Sequence, residues 1–157
     1  MNPTISCIKS TDGYNDVKKD RCDENGCVAK HYFNKEYLIL KADKINRSYR
    51  GNQDDPKMCD YIIFWEKNDG QINTITVELK SGTVDSNSEY EAILCKFQNG
   101  DKLAKDMVSI CNRSEDVTKN IVRQLFVRTY GGSEYTVWAK KHDIRLKRCG
   151  EWIDTFN

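Results

Sequence analysis

Apolar and polar residues alternate with period two through Ile72–Lys80 (INTITVELK). Ile75, Val77 and Leu79 share one face, and Thr74, Thr76, Glu78 and Lys80 share the other, which predicts a half-buried strand. Met58–Glu66 (MCDYIIFWE) reads differently. Cys59, Tyr61, Ile63 and Trp65 fall on one side, and Ile62 and Phe64 join Asp60 on the other, so this strand is expected to be covered on both faces. Asn68-Asp69-Gly70 between the two is a hairpin signal.

The period then changes. Ser88-Glu89-Tyr90-Glu91 forms a capping box, followed by an apolar stripe of Ile93, Phe97, Gly100, Ala104, Met107 and Cys111. This pattern predicts one long helix from about Ser88 to Asn112. Further strands are expected at Tyr37–Ile45, Ile121–Arg128, Tyr135–Lys140 and Ile144–Cys149, with a polar loop over Asn46–Pro56. Residues 1–30 are weakly patterned. Strands, a long helix and more strands predict an α/β (α+β) fold with a central mixed β-sheet flanked by helices.

Hairpin register decides which side chains meet. A two-residue loop would set Asp60 against Leu79 and place a carboxylate on the apolar face. A three-residue loop with Gly70 left-handed sets Ile63 against Ile75, Tyr61 against Val77 and Cys59 against Leu79. Apolar matching favours the second. The same register brings Asp60 opposite Glu78, with Lys80 two residues along.

Two carboxylates one strand spacing apart can share a hard divalent cation such as Mg²⁺, which prefers oxygen ligands and keeps several waters. Such an ion acidifies bound water and neutralises charge on a phosphoryl oxygen, while a neighbouring ammonium can orient the water. A surface patch in which Lys80 merely neutralises two exposed acids is the competing interpretation.

Composition bounds the rest. The 157 residues include only two prolines and nine glycines, with 38% hydrophobic and 31% charged residues, fitting one ordered domain over 1–157. No apolar run reaches the ~18 residues of a membrane span, and MNPTISCIKSTDG lacks the apolar core of a signal peptide. A cytoplasmic protein with no membrane partner is therefore expected.

Lys and Arg (25) nearly balance Asp and Glu (24), for a net charge of +1. The balance is uneven: Lys119–Cys149 carries eight basic residues and two acids, a net of +6, leaving −5 elsewhere. A second basic group comprises Lys41, Lys44, Arg47, Arg50 and Lys57. Basic stretches on a neutral protein can mark a polyanion site or an ordinary solvated surface.

Seven cysteines without a secretion signal predict reduced thiols. Cys22, Cys27 and His31 could offer three zinc ligands, although the spacing is not that of a standard finger and no fourth ligand is evident.

Asp60 followed by Glu78-Leu79-Lys80 on the next strand, and then a helix, resembles the PD-(D/E)xK nuclease superfamily. The strings Lys57–Phe64 (KMCDYIIF) and Val77–Gly82 (VELKSG) are similar to the metal-binding hairpin of small bacterial restriction-like nucleases. The resemblance is specific over residues 57–82, extends through the helix to about residue 112, and is generic elsewhere. It implies a restriction endonuclease-like core, Mg²⁺ or Mn²⁺ dependence and phosphodiester hydrolysis, on DNA rather than RNA, within phage defence or restriction.

Carried over, Asp60 and Glu78 would bind metal with the Leu79 carbonyl, and Lys80 would position the attacking water. Gln98 would be the polar side chain that the helix presents. Arg47, Arg50, Lys57, Arg145, Lys147 and Arg148 would contact nucleic acid, and a homodimer or larger assembly would be needed to cut both strands. Cysteine stands before Asp60 where the motif has proline, and no upstream acidic helix is evident, with Glu36 and Asp43 as substitutes. The alternative is a catalytically inactive nuclease-fold subunit for nucleic-acid binding or assembly.

Overall fold

The computed structural model describes residues 2–11, 13–50, 56–67, 71–84, 87–111, 121–130 and 132–155. In chain order the elements are α1 (Pro3–Lys9), α2 (Tyr14–Val17), β1 (Lys18–Lys19), β2 (Cys22–Glu24), β3 (Cys27–Ala29) and β4 (Tyr37–Lys41). They continue with α3 (Ala42–Arg50), β5 (Tyr61–Glu66), β6 (Ile72–Val84), α4 (Asn87–Cys111), β7 (Ile121–Tyr130), α5 (Gly132–Lys141) and β8 (Ile144–Arg148). The chain has a mixed α/β fold, with a central mixed sheet of six strands flanked by helices, as its patterning predicts.

The sheet order is β1-β4-β5-β6-β7-β8. Strands β4, β5 and β6 form an antiparallel meander, and β7 and β8 then run parallel to β6. Helices α4 and α5 lie in the two parallel connections, as parallel strands require. Only β1 and β5 therefore oppose the direction of the other four strands.

Two apolar clusters cover the two faces. On one, Ile62, Phe64, Leu125 and Val127 pack with Ile5 and Ile8 of α1, Ile45 of α3, and Ile93, Phe97 and Met107 of α4. On the other, Tyr61, Ile63, Ile75, Val77 and Leu79 pack with Cys22, Cys27, Ala29 and Ile153. The expected alternation thus holds, with β5 buried on both sides.

The β5–β6 register pairs Tyr61 with Val77 and Ile63 with Ile75, and Lys67 N donates to Gln71 O at 2.8 Å. These are the pairings that apolar matching selects. The turn at 68–70 lies outside the described residues, as do 51–55 of the expected loop and Asn112 at the expected helix end.

Three expectations are corrected. Tyr135–Lys140 is helical, not extended: Tyr135 and Ala139 are buried and Trp138 packs beside them, a spacing of three and four that a six-residue aromatic-rich segment disguises. Ala42–Ile45 and the first residues of the expected loop form α3, burying Ala42, Ile45 and Asn46 at the same helical spacing. Finally, the cysteines are not all thiols, since Cys7 is bonded to Cys111 and Cys27 to Cys149. Separations of 104 and 122 residues make these pairings a product of the tertiary fold.

One close approach sets the position of the segment before β5. A Cβ placed on Gly100, in the middle of α4, would lie 2.4 Å from Cys59 Sγ, and Cys59 N donates to Lys96 O at 3.2 Å. Glycine is unfavourable inside a helix by about 1 kcal/mol relative to alanine, but here it admits the Cys59 side chain. Gly100→Ala should therefore lower stability by about 1–3 kcal/mol through overpacking, despite its better helix propensity. Adding Cys59→Ala should recover most of that loss in urea titrations, whereas additive effects of the two changes would show that the contact is not limiting.

Candidate active site

Strands β4, β6, β7 and β8 all point their carboxyl ends toward one edge of the sheet, and β1 and β5 enter from that edge. Open α/β sheets bind ligands outside such carboxyl ends. Asp60 stands there, one residue before the Tyr61–Val77 pair and hence opposite Glu78. Its backbone carbonyl accepts from Ala42 N at 3.1 Å, tying β5 to the start of α3. Its Oδ2 accepts from Leu79 N at 2.8 Å, so the carboxylate caps the strand that carries Glu78.

Glu78 is 1% exposed, among the most buried polar residues of the described chain. Burial first, and then the adjacent Asp60 carboxylate, hold its proton affinity well above the ordinary carboxylate range; Lys96 and Lys80 act in the opposite direction. Lys96 Nζ lies 3.3 Å from Glu78 Oε1. Burial disfavours the Lys96 ammonium, but Glu78 and Asp60 outweigh it and raise its pKa above the usual lysine value. Glu78 Oε2 is buried with no hydrogen-bond donor. An acceptor left in that condition is costly unless a cation or donor completes it.

A second ammonium approaches from the other side of Asp60. Lys41, the last residue of β4, lies 3.7 Å from Asp60 Oδ1, bonds to Glu24 Oε1, and sits 4.7 Å from the centroid of the Tyr61 ring. Burial opposes its charge, but Glu24 and Asp60 raise its pKa. The Tyr61 hydroxyl donates to Asp23 O at 2.9 Å and thereby anchors β2 beside the site.

Lys80 follows Glu78 on the same face of β6 by strand alternation, next to a register shift between Lys80 and Thr83. Gln98 is exposed on α4; the side chain that α4 sends to Glu78 is Lys96. Arg148 is level with Lys80 across β7 and is exposed. Arg145 and Lys147 alternate to the opposite face, where Asp154 lies 3.6 and 2.8 Å away from them respectively. Lys57 and Arg47 are exposed, and Arg50 ends α3.

Glu36 lies at the far end of β4, accepting from Asn2 N and Lys9, while Asp43 lies in the first turn of α3. The possible zinc set of Cys22, Cys27 and His31 is corrected, because Cys27 is consumed by its bond to Cys149.

Neither Lys96 nor Glu24 was legible as a site residue. Lys96 and Gln98 flank Phe97 of the helical stripe on opposite sides, and the sequence does not say which side faces the strand end. Glu24 reaches the site only through the folding of a short β2–β3 hairpin back over the sheet.

Among the described residues, no group of three or more His, Cys, Asp or Glu side chains is gathered to hold a metal ion. A divalent ion here would therefore rest on Asp60 and Glu78, with backbone oxygen and water completing its shell. The hard-oxygen donor pair and the unpartnered, buried Glu78 Oε2 fit Mg²⁺ or Mn²⁺. The chain matches no family model, no curated protein and no solved structure.

A buried acid whose proton affinity is raised on folding favours the folded state at low pH, and that contribution fades as pH rises through its folded pKa. Metal-free Glu78→Gln should accordingly melt higher than the parent protein at neutral pH, by about 1–2 kcal/mol equivalent. The difference should close below the ordinary carboxylate range. Thermal scans across pH in EDTA measure this, and added Mn²⁺ should raise the melting temperature of the parent but not of Glu78→Gln.

Proposed function

We propose that this chain is a metal-dependent nuclease that hydrolyses phosphodiester bonds, DNA being the expected substrate. The observation that carries the reading is the pairing of Asp60 with a buried, partly unsatisfied Glu78 at the carboxyl edge of the sheet, with Lys80 beside them. Asp60 and Glu78, with the Leu79 carbonyl, are the residues that would hold Mg²⁺ or Mn²⁺. When bound, the ion supplies charge neutralisation at a phosphoryl oxygen and a more acidic water.

The chain's own residues do the rest. Asp60 is fixed by the Leu79 N–H and cannot swing away from Glu78. Lys80 orients the attacking water and offsets negative charge that develops on the phosphate. Lys96 holds the Glu78 carboxylate by its Oε1 and so directs Oε2 toward the site. A host-defence role, a cytoplasmic location and a homodimer or larger assembly complete the proposal. The two disulfides weigh against the cytoplasmic part of that proposal, since such bonds persist mainly in oxidising compartments.

One observation favours a second reading, a catalytically inactive nuclease-fold subunit. Lys96 and Lys41 already neutralise Glu78 and Asp60 without a metal. The two readings separate in one experiment. Purified protein is incubated with plasmid, single-stranded DNA and RNA in Mg²⁺ or Mn²⁺. Nicking or cleavage that falls roughly a hundredfold or more in Glu78→Ala and Lys80→Ala supports the nuclease. Nucleic-acid binding without cleavage in either metal, unchanged by Glu78→Ala, supports the inactive subunit.

A further inference from the structure

Beside the carboxylate pair, on the β2–β3 side of the sheet, lies an open cleft of about 650 Å³. Its walls carry four cations, Lys19, Arg21, Lys41 and Lys44, brought together from β1, the turn before β2, β4 and α3. A second, smaller concavity of about 220 Å³ shares Lys19 and Asp20 with it and continues past Lys18 to Tyr37 and Tyr14. The two together follow the β1–β4 edge of the sheet. Along β4 they run from Tyr37 to Lys41, about 13 Å at the strand rise per residue.

Of the three acids that line this groove, Asp23 and Glu24 are paired, and Asp20 is exposed beside Lys19. Glu24 is bonded by Lys41 and the Tyr61 hydroxyl, and Asp23 lies 3.6 Å from Arg21. Lys18 and Lys19 are exposed on β1 and form no ion pair with the described residues. Beyond those two pairs the groove carries Lys18, Lys19 and Lys44 against the single acid Asp20, and it ends at Lys41, 3.7 Å from Asp60 Oδ1.

We infer that this groove binds the phosphodiester backbone of a nucleic-acid strand and leads it to the Asp60–Glu78 pair. The inference rests on the nuclease reading and names the path of its substrate. Lys19 and Lys44 neutralise phosphates in the wide part, and Lys18 does so in the narrow part. Tyr37, packed against Phe33 and His31, closes the far end of the groove. Lysines on a short edge strand also discourage edge-to-edge pairing, a role that would leave nucleic-acid affinity untouched by their removal.

The test uses the full chain carrying Glu78→Gln, so that binding is read without turnover. Anisotropy of a labelled DNA strand, single or duplex, is measured over a range of salt concentrations. Lys19→Ala with Lys44→Ala should weaken binding roughly tenfold and flatten the log–log salt slope by about 1.4–1.8. Lys102→Ala with Lys105→Ala, exposed on α4 outside the groove, should leave both unchanged. Unchanged affinity and slope in the Lys19/Lys44 variant would overturn the groove, even if the parent cleaves DNA. Loss of binding in that variant upholds the groove, even if the parent cleaves nothing, in which case only the nuclease reading fails. Circular dichroism confirms that the exposed substitutions leave the fold intact.

Discussion

Two carboxylates forced together at the edge of a sheet are the constraint around which this molecule is arranged. Asp60 cannot leave Glu78 without giving up the Leu79 N–H, and Glu78, 1% exposed, cannot reach water. Left alone, such a pair would carry one proton or distort. The chain surrounds it with ammonium groups from three elements, Lys41 from β4, Lys80 from β6 and Lys96 from α4, which offset the pair in part and still leave the proton affinity of Glu78 raised. Gly100 lets α4 lie close enough for Lys96 to reach.

An arrangement of this kind is a poor way to make a fold stable. Buried ion pairs seldom outperform well-packed apolar side chains of the same volume, and Glu78 Oε2 remains unsatisfied as well. The neighbouring rows of β5 and β7 show what the apolar alternative looks like, with Ile62, Phe64, Leu125 and Val127 filling the same face beside the small Thr74 and Thr76 of β6. Breaking that pattern at the carboxyl end of β6 is the kind of local inconsistency that belongs to a working site. The register shift after Lys80 falls at the same place.

How far the sequence carries depends on the range of the information needed. The β5–β6 hairpin was legible because its signals are local: period-two alternation, and apolar matching that fixes the partner of each residue. Helix α4 was legible for the same reason, its stripe repeating over 25 residues. Tyr135–Lys140 misled because six residues with four aromatic or β-branched side chains satisfy strand and helix patterns alike. Lys96, Glu24 and the two disulfides were beyond reach for another reason. Each depends on how one packed element is rotated or placed against another, and periodicity along the chain does not encode that.

The charge distribution shows the same division between local and global information. The basic C-terminal third is real in the sequence, yet the sheet separates its members: strand alternation sends Arg145 and Lys147 to one face and Arg148 to the other. Asp154, from the segment after β8, then takes up the first two. Conversely, Lys19, Arg21, Lys41 and Lys44 are unremarkable in a chain of net charge +1, being interleaved with Asp20, Asp23, Glu24 and Asp43. Folding pairs Glu24 with Lys41 and Asp23 with Arg21, leaving Lys18 and Lys19 exposed along a groove that reaches Asp60. A linear count of charge therefore points to one edge of the sheet, while the pairing that folding imposes points to the edge beside the carboxylates.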